Sequence, residues 1–227
     1  MIAFAPDGYE FAAPGFTPRR WAVPSWEVIR SAPPPAGGPA GSPFCTGAIV
    51  YTPDGRHIAV SFAVMNSAGT RYNSHVRLFD RATGARTADL GTTFGHAHPT
   101  QIAFSPDGAL VAGNFGPVLG VVSAADGKEV ARVKAGAKHV TGLAFTPNGS
   151  KLVAVSNDAR VRVFDTRTWT ETAGYEWKIG PLRCVAVAPD GLRMAAGSGR
   201  GKVVVWDVDA WRGFTRTGPS PRCRGRR

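Results

Sequence analysis

QIAFSPDG, residues 101–108, is a near copy of the opening MIAFAPDG, residues 1–8. The Pro-Asp-Gly that closes both octets belongs to a longer series. It recurs, with Asn once in place of Asp, at Pro6-Asp7-Gly8, Pro53-Asp54-Gly55, Pro106-Asp107-Gly108, Pro147-Asn148-Gly149 and Pro189-Asp190-Gly191, at spacings of 47, 53, 41 and 42 residues. In such a turn proline presets φ and glycine accepts the positive φ that reverses the chain. Apolar runs precede each turn (IAFA, GAIVYT, QIAFS, GLAFT, CVAVA) and others follow it, as in HIAVSFAV, ALVAGNF, KLVAVS and RMAAGS. Short bounded runs of this kind read as antiparallel strand pairs.

A third run follows, HVRLFD, VRVFD or VVVWD, in which an aromatic precedes Asp at Phe79-Asp80, Phe164-Asp165 and Trp206-Asp207, with weaker equivalents at Trp26-Glu27 and Val122-Ser123. A fourth, such as KEVARVKAG or ETAGYEWKIG, completes each unit. From the third-run aromatic to the next first-run position the interval stays between 23 and 25 residues: Trp26 to Tyr51, Phe79 to Phe104, Val122 to Phe145, Phe164 to Val187. Four strands per unit in this phase resemble the WD-repeat β-propeller family over residues 2–209. The resemblance implies an all-β fold of about five blades with up to four antiparallel strands each. Residues 1–30 are expected to form a degenerate first blade, 31–43 a Pro/Gly-rich linker, 44–209 four further blades and 210–227 a basic, disordered tail.

Two length changes acquire places in this frame. The 53-residue spacing gains its extra residues in VMNSAGTRYNS, 64–74, expected to protrude as a loop. SAPPPAGGPAGSP, 31–43, cannot hold a ladder with its five prolines and three glycines, so the first blade is expected to lack a regular fourth strand. The opening octet reads as an inner strand with no outer strand before it. That predicts an open or weakly closed propeller, or part of a longer protein.

In the family a Gly-His before the inner strand, a turn Asp and a Ser or Thr on the second strand form a hydrogen-bonded network with the third-strand Trp. Here Gly95-His96 matches the first, Asp158 the second, and Ser156 stands beside it. The unit holding Asp158 has Ala137 after Gly136, and Arg200 replaces the turn Asp in the unit of Trp206. Apolar packing between sheets is therefore expected to dominate. Arg77 and Arg162 occupy equal third-strand places and read as solvated or blade-edge residues rather than a binding code, while Trp21, Trp169, Trp177 and Trp211 read as covers of sheet edges.

The composition suits short strands and many turns: 43% hydrophobic and 19% charged residues, with 28 Gly and 18 Pro. Of the net charge of +11, six positive charges lie in 210–227, and Arg outnumbers Lys 21 to 6. Cys45, Cys184 and Cys223 have no paired spacing and give neither a disulfide framework nor a zinc site. Cys184, in an apolar run, is expected to be buried. No signal peptide or apolar membrane span is legible, which sets a soluble, cytoplasmic expectation.

Catalytic signatures are sparse. His96-Ala97-His98 lacks a third ligand nearby in sequence. GSGRGKV, 197–203, has Ala196 where a phosphate loop begins with Gly, and Val203 where it needs a hydroxyl, so it reads as a turn between strands. Most acids serve turns or strand ends. No catalytic, metal or cofactor site is expected, and the chain is read as non-enzymatic.

Propeller topology puts the loops entering inner strands and those joining second to third strands on one face, the top. These loops offer Arg71, Lys138, Arg160, Arg183, Arg200 and Lys202 against Asp158, with His96, His98 and His139 alongside. The resulting candidate is an interaction scaffold whose basic top face, Arg71, His98, Lys138, His139, Arg160, Arg183, Arg200 and Lys202, receives an acidic or phosphorylated protein segment. Nucleic-acid or polyanion binding through that face and the Arg-rich tail is the alternative. A propeller-borne enzyme acting on a small molecule is the third.

Overall fold

A computed structural model describes residues 2–15, 18–29, 45–65, 72–90 and 100–208. The described strands form five antiparallel sheets. The first contains β1 (Ala3–Phe4), β2 (Glu10–Ala13), β3 (Arg19–Ala22) and β4 (Val28–Ile29), and the second β5 (Cys45–Tyr51), β6 (His57–Met65), β7 (Tyr72–Asp80) and β8 (Arg86–Asp89). The third contains β9 (Ile102–Phe104), β10 (Leu110–Phe115), β11 (Val118–Ser123) and β12 (Glu129–Lys134). The fourth holds β13 (Val140–Phe145), β14 (Lys151–Ser156), β15 (Arg160–Asp165) and β16 (Glu171–Glu176), and the fifth β17 (Leu182–Val187), β18 (Arg193–Ser198) and β19 (Val203–Asp207). Every sheet keeps its strands in sequence order, the meander of a propeller blade. The chain divides into two compact units, residues 1–115 with 120–132, and residues 116–119 with 133–227.

The repeated turn joins the first two strands of every sheet. Its glycine takes φ between 69° and 75° at Gly8, Gly55, Gly108, Gly149 and Gly191, where a Cβ would be strained. The Asp or Asn before it accepts the backbone N–H two residues on: Tyr9, Arg56, Ala109, Ser150 and Leu192. The chemistry that shapes each hairpin turn is thus local.

In the first unit Tyr51, Ile58 and Phe79 make one cross-strand row. This row packs with Ala5 and Ala12 of the first sheet in a single buried cluster. A second cluster joins Ala48, Ala59 and Val76 of the second sheet to Ile102, Val111 and Val122 of the third. In the second unit Val153, Val155, Val161 and Val163 of the fourth sheet meet Leu182, Met194 and Trp206 of the fifth. Each core therefore seats large side chains of one sheet on smaller ones of its neighbour.

Four expectations need correction. The third-strand aromatic of the first sheet is Trp21, paired with Phe11, while Trp26 lies in the following turn at φ 61°, so the interval counted from Trp26 was coincidental. A short fourth strand exists, β4, paired to β3 through Arg20–Ile29 and Trp21–Val28, because it precedes the proline-rich stretch. The two ends of 64–74 extend the β6–β7 hairpin, with Val64 opposite Asn73 and Met65 opposite Tyr72, and 66–71 lie outside the described residues. Cys184 is exposed. It shares a face with Gly197 and Val203, the face on which Val203 and Val205 stay 68% and 58% exposed. The linker 31–43 and the tail 210–227, Trp211 included, lie outside the described residues.

Packing in the first unit is not purely apolar. Buried Glu10 accepts two hydrogen bonds from Arg20 Nη2 (2.9 and 2.8 Å) and one from Nε (3.1 Å), and a fourth from the Tyr51 hydroxyl at 2.7 Å. Arg81 Nε lies 3.1 Å from the same carboxylate, and its Nη1 donates to Asp7 at 2.6 Å. Arg20 Nη1 donates to the Arg81 carbonyl at 2.8 Å. Burial pushes the Glu10 carboxyl up, but donation from Arg20 and Tyr51 and the two guanidinium charges outweigh it, leaving the group below its ordinary value. Glu10→Ala strands buried Arg20 and should cost about 3 kcal/mol or more, against about 1 kcal/mol for Tyr51→Phe, read by denaturant unfolding. Because the folded group is the stronger acid, its stabilisation is complete above the ordinary value of 4.5 and fades as pH falls below it. The gap between wild type and Glu10→Gln should close in that direction.

Candidate functional site

The second unit gathers the described candidates at one end. The loop entering β13 carries Lys138 and His139, and the β14–β15 turn leads into Arg160. Arg183 opens β17, and Arg200 and Lys202 form the β18–β19 turn. Antiparallel pairing enforces this, since Val140 stands opposite Ser156 and Leu182 opposite Ser198. All six side chains are exposed. Arg183 Nη1 donates to Asn157 Oδ1 at 3.1 Å, linking adjacent sheets. Thr141 does so beneath it, donating to the Leu182 carbonyl at 2.8 Å. Lys178, at φ 53° before β17, adds an exposed cation that the sequence reading did not count. Glu176 stands in register with Arg160, which makes Arg160 the cation with a carboxylate opposite. Arg71 and His98 lie outside the described residues, as do His96 and the rest of 91–99.

Asp158 does not neutralise this end. Its Oδ2 accepts from Arg162 Nη2 at 2.8 Å and from Ala137 N at 3.1 Å, and its Oδ1 from Arg160 N at 3.1 Å and Arg162 Nη1 at 3.2 Å. Burial raises its pKa, but these donors and the Arg162 charge hold it below the ordinary carboxylate range. Ser156 Oγ donates to the His139 carbonyl at 2.9 Å. A guanidinium and a backbone amide thus stand where the family network has an imidazole.

Arg162 is therefore only 8% exposed, and Arg77 only 7%, so the expectation that both are solvated is corrected. Arg77 Nε donates to Asp89 at 2.7 Å, and its guanidinium sits 4.5 Å from the Phe62 ring centroid. The missed signal is the acid within reach: Asp158 four residues earlier, and Asp89 across the β7–β8 pair.

The third-strand endings are structural. Asp80 accepts from the Thr83 amide and hydroxyl, both at 2.7 Å. Asp165 accepts from Lys151 Nζ at 2.7 Å, first among the contacts that lower its pKa to about 2. Asp207 is exposed beside Arg193 at 3.5 Å. Phe79 and Phe164 are buried. Trp206 is buried too, packed 4.8 Å from Trp177, but its Nε1 has no hydrogen-bond partner among the described residues. Trp177 thus belongs to an aromatic cluster with Tyr175 and Trp206, and Trp21 stacks on Phe11 at 5.0 Å. The 197–203 segment is a turn, with Ser198 Oγ accepting from the Arg200 and Lys202 amides.

At the repeated-turn end of the first unit lies a cavity of about 480 Å³, lined by Arg20, Ile29, Arg56, His57, Arg81 and Thr83 among others. No local motif announces it, since its walls come from segments far apart in the chain. Among the described residues no three His, Cys, Asp or Glu side chains converge in a way that could hold a metal ion.

Five meandering sheets, each begun by the same turn, define a β-propeller built of WD-type blades. The family described as WD domain, G-beta repeat matches residues 127–165 and 176–207, so these two stretches are WD repeats. It is 29% identical over 168 residues to WD repeat-containing protein SL1-17 of Schistosoma mansoni, covering 70% of this chain and 54% of that protein. It is 27% identical over 133 residues to serine-threonine kinase receptor-associated protein of Gallus gallus, covering 59% and 37%. The chain thus spans about half or less of these relatives. Its fold matches a chain in a crystal structure of the mitotic checkpoint complex with a TM-score of 0.73 at 15% identity, over 91% of this chain and 62% of that one.

Asp158→Ala leaves Arg162 buried beyond good pairing, with Glu171 Oε2 3.9 Å from its Nε, and should cost about 3 kcal/mol. Arg162→Met strands the Asp158 carboxylate, only 10% exposed, on its two amide donors and should also destabilise, by up to about 3 kcal/mol in denaturant unfolding. Trp206→Phe removes an unpaired N–H along with packing area, so a loss within about 1.5 kcal/mol is expected, against roughly 2–5 kcal/mol for Met194→Ala.

Proposed function

We propose that the chain is a non-enzymatic interaction scaffold, and that the exposed end of its second unit receives an acidic or phosphorylated protein segment. The observation that carries this is an imbalance. Lys138, Arg160, Arg183, Arg200 and Lys202 are exposed there, while Asp158, the acid of the same loops, is taken up by Arg162. A field of one sign speeds encounter with anionic segments and disfavours cationic ones. The name of one relative, a kinase receptor-associated protein, and the complex holding the structural neighbour suit a role in protein association.

Charge reversal tests the reading. Arg183→Glu, Arg200→Glu and Lys202→Glu combined should weaken binding of fluorescent acidic phosphopeptides at least tenfold in anisotropy titrations, with deletion of 210–227 having little effect. Single-stranded DNA of equal charge is the control. If DNA binds tighter than the peptides, with a steep salt slope lost on tail deletion, the chain is a polyanion binder through its tail instead.

A further inference from the structure

The polar clasp of the first unit leaves part of its guanidinium chemistry unused. Arg20 Nη1 donates one N–H to the Arg81 carbonyl and keeps a second. Arg81 turns Nε to Glu10 and Nη1 to Asp7, which leaves both N–H groups of its Nη2. These two side chains line the cavity of about 480 Å³ at the repeated-turn end, together with Arg56 and His57. Arg56 is exposed and His57 half-buried. Their hydrogen bonds are made by backbone groups, Arg56 N to Asp54 Oδ1 and His57 N to Thr52 Oγ1, so among the described residues both side chains keep their polar atoms free.

Asp80 is the acid of this wall, and its Oδ1 already accepts from the Thr83 amide and hydroxyl. Glu10 and Asp7 stand behind Arg20 and Arg81 and cancel much of their net charge, so placed N–H donors rather than a broad field define the site. The donors come from separate segments: the β5–β6 turn supplies Arg56 and His57, and the β7–β8 turn supplies Arg81. A carboxylate has two oxygens, and one guanidinium fork satisfies both. A phosphate monoester offers three acceptor oxygens and close to two negative charges, which suits donors arriving from several sides. The volume falls within the range of about 300–1,000 Å³ usual for small-molecule sites, so more than a bare phosphate fits. Ile29 and Ala82 supply apolar wall for an organic body.

We propose that this cavity binds a small phosphomonoester, its phosphate held by Arg56, His57 and the free Nη2 of Arg81, and its organic part laid against Ile29 and Ala82. Arg20, only 7% exposed and fixed by three hydrogen bonds to Glu10, forms the rigid back of the site. The site is independent of the basic end of the second unit, with which it shares no residue. The two also differ in kind. Attraction between exposed charges is screened beyond about 8 Å at physiological ionic strength, whereas charge-assisted hydrogen bonds made inside a cavity persist. Binding here should therefore outlast added salt that weakens an anionic segment on the second unit.

Calorimetric titration of the 227-residue chain with phenyl phosphate tests this. One saturable site with a dissociation constant below about 1 mM is expected. Arg56→Ala combined with His57→Ala should weaken it about tenfold or more. Ala82→Phe, which leaves every charge in place and fills the apolar wall, should do the same, and it carries the test alone should the first variant lose its circular dichroism spectrum. Arg183→Glu, Arg200→Glu and Lys202→Glu combined should leave this binding unchanged, which separates it from the basic end of the second unit. Benzoate and inorganic phosphate should each bind about tenfold or more weaker than phenyl phosphate. A wild-type chain without saturable binding, benzoate of equal affinity, or an Ala82→Phe variant that binds as wild type overturns the proposal. So does a phosphothreonine peptide that binds tighter than phenyl phosphate and loses that advantage with Arg56 and His57, since the cavity would then be a peptide site.

Discussion

Every sheet of this protein has two faces, and a four-stranded sheet with a bare apolar face has no stable place in water. The structure meets that constraint with one contact, used repeatedly: a row of large side chains laid across three or four strands against a neighbouring face of alanine and valine. Tyr51, Ile58 and Phe79 on Ala5 and Ala12 are one instance. Met194 and Trp206 against the valines of β14 and β15 are another. The contact depends on phase. Large residues must fall at the same distance from the repeated turn in each unit, because a slip of one residue turns the whole row to the other face. Within each hairpin, the glycine at positive φ and the Asx side chain two residues before its amide partner hold that phase.

This explains which features could be read from the chain alone. The turns are local, so their chemistry stands in the sequence, and the strands on either side follow from alternation. In the first sheet the expected aromatic, Trp26, stands five residues beyond the one on the third strand, Trp21, because both fall near the expected place. Register decides between them, and it rests on backbone pairing between β2 and β3 that no local signal announces. The buried arginines were missed for a related reason. Alternation sends Arg77 and Arg162 to one face of β7 and β15, but only the folded sheet brings Asp89 and Asp158 to meet them. Glu10 is the extreme case. Its partners Arg20, Tyr51 and Arg81 come from three different strands or turns, and an acid after a turn gives no hint that it will be buried under two guanidinium groups.

The same ion pairs shape the surface. An arginine on a third strand has to carry its charge into a packed sheet, and burial is tolerable only beside a carboxylate with further donors. Arg162 therefore consumes Asp158, and the second unit's loop end is left with exposed lysine and arginine and little acid. Asp158 is thus held by the Arg162 guanidinium and the Ala137 amide, and the positive character of that end goes with this pairing. Asp158, released from an imidazole, serves a guanidinium of its own sheet.

The polar clasp of the first unit does similar work in a different place. Glu10 and Arg20 lie on opposite sides of one hairpin, and Arg20 occupies the position that the fifth sheet gives to Val205. With Arg20 in that row, Tyr51 and Arg81 of the second sheet must bring a hydroxyl and a second cation to it, and a neighbour lacking them would strand a buried charge. With Val205, the row accepts an apolar neighbour without further chemistry. One blade face is thereby specific to its own neighbour in the chain, and the other is general.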